Sequence, residues 1–114
     1  MKPKNFRGAW NVCAAASATV FGVNCGEIFG RSRRAQVALA RQVAHYVFFK
    51  AANRTAFDTA EIVGRHHTTL AWSIRAVHNA MSTIPSLRAD VSAVGKEAAP
   101  GLLLCGMHAP AMTI

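Results

Sequence analysis

Val37, Ala40, Ala44, Val47, Phe48 and Ala51 recur at helical spacing between residues 35 and about 52. A helix completes a turn in 3.6 residues, so these side chains share one face while Gln36, Arg41, His45 and Lys50 point elsewhere. The same period returns in Phe6, Trp10, Cys13, Ser17, Val20 and Phe21, and again in Leu70, Ile74, Val77 and Met81. No stretch alternates apolar and polar residues at period two, so nothing reads as a strand. The expected fold is all-α, a compact helical bundle, and 114 residues make one domain's worth of core.

Punctuation between the periodic segments suggests where each helix stops. Asn24 followed by Glu27 has the spacing of a capping box and opens a short turn through Ile28 and Phe29, closed by Gly30. Arg31-Ser32-Arg33-Arg34 then places three guanidinium groups in four residues between two apolar segments, which predicts an exposed loop. Asp58 or Thr55 could cap a very short helix through Ile62, before Val63-Gly64-Arg65 turns into the Leu70 helix. Pro85 marks a break, and Leu87, Val91 and Val94 support one more short helix that is expected to stop at Gly95. The domain is therefore expected over residues 1–95. Residues 96–114, with two prolines and a Leu-Leu-Leu-Cys patch, read as a tail, either loose or folded back on the core by that patch.

Charge narrows the choice of partner. Thirteen Lys and Arg against five Asp and Glu leave a formal charge of +8, and nine of the thirteen are Arg. Arg is the side chain that best forks onto phosphate, so a polyanion is the first expectation, beside the plainer reading that the charge only maintains solubility. Cys13, Cys25 and Cys105 are odd in number and form no CxxC pair, which predicts reduced thiols, with Cys13 filling core. No apolar run reaches the length of a membrane span and residues 1–10 lack a signal-peptide core, so no membrane partner and a cytoplasmic location are expected.

A short helix, a glycine turn and a longer helix form the layout of a helix-turn-helix, whose second helix sets its N-terminus against base edges in the major groove. Here that N-terminus carries Arg65, His66, His67, Thr68 and Thr69, all polar, beside the free N–H groups of a helix start. The cluster fits DNA reading, against a solvated helix cap. The Arg31, Arg33 and Arg34 loop fits either a solvated charge cluster or a minor-groove contact. Adjacent His66 and His67 would diverge by about 100° on a helix, so a shared metal ion is not expected, nor is any cofactor. His45, His78 and His108 are scattered and read as surface or satisfied histidines. The five carboxylates form no evident pair and no GxxxxGK[ST] loop is present, so no enzymatic chemistry is expected.

The stretch FGVNCGEIFGRSRRAQVALARQVAHYV followed by GRHHTTLAWSIRAV resembles the C-terminal DNA-binding domain of the bacterial replication initiator DnaA. That family's pattern runs from a basic R-R-S-R loop through an R-Q-containing helix to G-R-D-H-T-T-V, and the resemblance covers about residues 10 to 82. It implies an all-helical helix-turn-helix binding a short asymmetric duplex. It further implies that Arg33 enters the minor groove, that Arg41, Gln42 and Arg65 lie at phosphates, that His67 and Thr68 contact bases, and that Thr69 contacts the backbone or a base methyl. His66 stands where the family has Asp, exchanging an acceptor for a potential donor, so the preferred base should change. The family's initiator also carries an ATPase module, and with nine residues ahead of Trp10 an ATP-driven initiator is not expected of this chain. Sequence-selective binding of double-stranded DNA follows, as a transcriptional regulator or a phage or mobile-element accessory factor. The competing expectation is a protein-binding module that sequesters a replication or transcription factor. An RNA-binding basic domain ranks last, because no aromatic residue adjoins the basic loop for base stacking.

Overall fold

The computed structural model describes residues 3–110 and contains six helices with no strand among them. They are α1 (Phe6–Phe21), α2 (Cys25–Phe29), α3 (Ala35–Ala52), α4 (Ala56–Val63), α5 (His67–Thr83) and α6 (Pro85–Leu104). The all-α bundle expected from the periodicity is the architecture observed.

Short-range chemistry sets most of the boundaries. The Asn24 side chain accepts from Gly26 N–H while the Glu27 carboxylate accepts from Asn24 N–H, so the capping box forms as its spacing predicted. Thr55, rather than Asp58, caps α4, its hydroxyl accepting from Asp58 N–H. Asn5 caps α1 and Pro85 opens α6 at its first turn, where a missing N–H costs nothing.

α3 forms the centre of the core, with α1, α5 and α6 packed around it. Alanines 9, 14, 16 and 18 on α1 and Ala40 and Ala44 on α3 are buried, and the small side chains let the two helices approach closely enough for Ser17 Oγ to donate to Ala40 O at 2.7 Å. Cys13 fills core as expected. Its burial, with Cys105 nearby, pushes the thiol up to about 12, so it stays a thiol at any physiological pH.

Two expectations need correction. α6 does not stop at Gly95 but runs through it, and through Pro100, to Leu104. Leu87, Val91, Val94, Ala98 and Leu102 form one buried stripe, and burying it outweighs the penalty of about 3 kcal/mol for an interior proline. Gly101 lies so close to α1 that a Cβ there would sit 2.7 Å from Val12 Cγ1. The Leu-Leu-Leu-Cys patch divides: Leu102 and Cys105 are buried, whereas Leu103 and Leu104 face outward. Second, His45 does not point away from the core. It is 1% exposed, held between α1 and α5 because the apolar face of α3 is wider than its strict stripe.

Candidate nucleic-acid interface

The turn between α4 and α5 is built around Gly64 at φ 81°, a left-handed conformation that a Cβ would strain. In that conformation Gly64 N–H and Arg65 N–H both reach Ala60 O, at 2.8 and 3.1 Å, closing α4 and aiming the chain at α5. His66 is the N-cap of α5, with extended backbone (ψ 144°) and Nδ1 accepting from Thr68 N–H at 3.2 Å. Thr68 Oγ1 lies 2.7 Å from the same nitrogen. A neutral imidazole whose Nδ1 accepts must carry its proton on Nε2, so the free edge of this exposed ring is a donor.

The two adjacent histidines do not diverge as expected. Their ring centroids are 4.3 Å apart at an interplanar angle of 31°. The 100° rule applies to two helical residues, and His66 sits outside the helix. Phe57 of α4 also lies beside His67, centroid to centroid 5.5 Å. Among the described residues no group of three or more His, Cys, Asp or Glu comes together as a metal site.

The basic loop is exposed at Arg31, Arg33 and Arg34, as predicted. Arg34 makes a solvent-facing ion pair with Glu27 at 3.6 Å, of a kind that contributes little to stability. What holds the loop is a pair of arginines from elsewhere. Arg41 of α3 donates Nε to Ile28 O at 2.8 Å, Nη1 to Ser32 O at 3.0 Å and Nη2 to Glu27 O at 2.7 Å. Two of those bonds fall on carbonyls at the end of α2, where the negative end of its dipole lies, with Glu27 O shared with Gly30 N–H, and the third reaches Ser32 O in the loop. Arg65 donates Nη2 to Gly30 O, immediately before Arg31. Three of the five N–H groups of Arg41 are thus engaged, leaving two for an outside anion. Burial and the neighbouring Arg65 charge lower the pKa of the Arg41 guanidinium.

Between α3 and α5 lies an open cleft of about 170 Å³, walled by Ala38, Gln42 and Thr69 and by Trp72 at its rim. Gln42 is half-buried and Thr69 exposed there. His45 and Ser73 line its floor, with His45 Nδ1 3.1 Å from Ser73 Oγ. His45 Nε2 has no partner among the described residues. Burial, with Arg65 and Arg41 adding to it, pushes the His45 pKa down to about 3, so the ring is neutral in the fold.

α5 has two opposite faces. Leu70, Ser73, Val77 and Met81 are buried, while Thr68, Trp72, Arg75 and Asn79 are exposed at steps of four, three and four. Trp72 and Arg75 lie on the outer ridge beyond the polar helix start, and their helical spacing is the sequence signal that marks them.

A family model described as the bacterial dnaA protein helix-turn-helix matches residues 14–77, more than half of the chain. The chain belongs to this family. No curated protein matches it. The matched span runs from within α1 through the basic loop and the Arg41 clamp to α5, so the DnaA-type helix-turn-helix is the α4–turn–α5 unit together with the elements that hold its loop. A DnaA-type helix-turn-helix is a DNA-binding domain rather than an enzyme, and its partner is duplex DNA. No helix among the described residues is long and apolar enough to cross a membrane.

Proposed function

We propose that the chain binds duplex DNA sequence-selectively, with α5 in the major groove and the Arg31–Arg34 loop in the minor groove. The observation that carries this is the Arg65 bridge. By bonding Gly30 O it ties the residue before His66 to the residue before Arg31, so the polar helix start and the basic loop are presented together. His67 and Thr68 then read base edges, with His66 Nε2–H donating to a base acceptor such as guanine O6 or N7 or thymine O4. Gln42 and Thr69 face backbone phosphates across the α3–α5 cleft. Arg33 reaches the minor groove between Arg31 and Arg34, which neutralise phosphate. Arg41 and Arg65 act first by fixing the loop, and their remaining N–H groups add to the phosphate contacts.

The role suited to such a module is that of a transcriptional regulator or an accessory factor of a phage or mobile element. Selection of bound duplexes from a random pool tests it. One enriched sequence with binding that weakens as salt rises is expected, because Lys and Arg displace counterions from DNA. No enrichment, and no shift of any duplex at low salt, would overturn the proposal and favour a module that sequesters a replication or transcription factor.

A further inference from the structure

We propose that Trp72 is a base-reading residue whose indole packs on the C5 methyl of a thymine in the major groove, one helical turn beyond Thr68. This rests on the DNA-binding reading of α5 and adds a contact to it. At about 100° per residue, Trp72 lies roughly 200° around the helix from Leu70 and about 100° from Ser73, off the buried stripe. It shares the outward ridge with Thr68 one turn before it and Arg75 one turn after it, and it is 58% exposed where Trp10, in the core, is 3% exposed. Trp72 rims the α3–α5 cleft beside Gln42 and Thr69, so it sits between the base-facing helix start and side chains placed toward the backbone.

The chemistry selects the base. An indole offers a broad apolar face and a single N–H donor. Of the groups on the major-groove edges, the thymine C5 methyl is the apolar one; the others are acceptors or amino donors that an indole face would desolvate without a partner.

The test uses the whole chain and a duplex it selects from a random pool, made also in versions with each thymine replaced singly by deoxyuridine, which removes only the methyl. For the wild-type protein one such replacement is expected to weaken binding about fourfold, the affinity equivalent of one buried methyl. Trp72→Ala is expected to bind the parent duplex more weakly and to be indifferent to that replacement, whereas Trp72→Phe keeps the sensitivity. A blue shift of tryptophan emission on binding, smaller with the deoxyuridine duplex, gives an independent readout in the unmodified protein. Wild-type indifference to every replacement, or an unchanged penalty in Trp72→Ala, overturns the proposal while leaving DNA binding intact. Failure of the wild-type protein to bind any duplex overturns both.

Discussion

Acidification should destabilise this fold through His45, and the size of the loss follows from where that ring sits. In the native state it is 1% exposed, its one hydrogen bond goes to Ser73, and burial holds its pKa at about 3. In the unfolded chain an ordinary histidine titrates near pH 6.5. Between those two values the unfolded state binds a proton that the native state does not, so stability is fully present above about pH 6.5 and falls as pH drops. The slope approaches about 1.4 kcal/mol per pH unit, so moving from pH 7 to pH 5 should remove about 2 kcal/mol. That is a large share of the roughly 5–15 kcal/mol typical of a domain. Urea unfolding at pH 7 and pH 5, compared between the wild-type protein and His45→Gln, isolates the effect. Gln keeps an acceptor for the Ser73 hydroxyl but does not titrate, and the exposed His66, His67, His78 and His108 are common to both proteins. The wild-type loss should exceed that of the variant by about 2 kcal/mol. Equal losses in the two proteins would refute the assignment of His45 as a buried neutral ring.

Substituting Arg31 by Ala should make the slope of log K against log salt shallower by about 0.9, the loss of one neutralised phosphate, a change read from titrations at several salt concentrations. His66→Asp should leave the melting temperature nearly unchanged, because Asp is among the best N-caps, while parallel duplex selections shift one position toward a base presenting an amino donor such as cytosine N4. Gly101→Ala should destabilise the fold by about 1–3 kcal/mol in denaturant titrations, because its Cβ would fall 2.7 Å from Val12 Cγ1.

The helices were legible because their determinants are local. Val37, Ala40, Ala44, Val47 and Phe48 announce α3 by spacing alone, and Asn24 with Glu27 announces the capping box, since each acts on backbone within one turn. The candidate interface was legible to the same depth. The Arg31–Arg34 loop and the polar start of α5 stand out by composition, and GRHHTT carries the family pattern. The end of α6 was misread because Gly95 and Pro100 are local stop signals, and only docking the Leu87-to-Leu102 stripe against the rest of the core overrides them.

By itself, then, the sequence determined an all-helical chain with a basic loop ahead of a glycine turn and a polar helix start, because caps, periodicity and charge act between residues close in the chain. Tertiary structure decided what those residues are bonded to. His45 is buried because α1 and α5 close over it, and His66 and His67 stack because one of them lies outside the helix. Arg41 and Arg65 hold the basic loop because the fold brings the carbonyls of Glu27, Ile28 and Gly30, 14, 13 and 35 residues away along the chain, within reach of their guanidinium groups. A carbonyl with a free lone pair accepts from whichever donor the fold brings near, and spacing along the chain does not say which donor that will be.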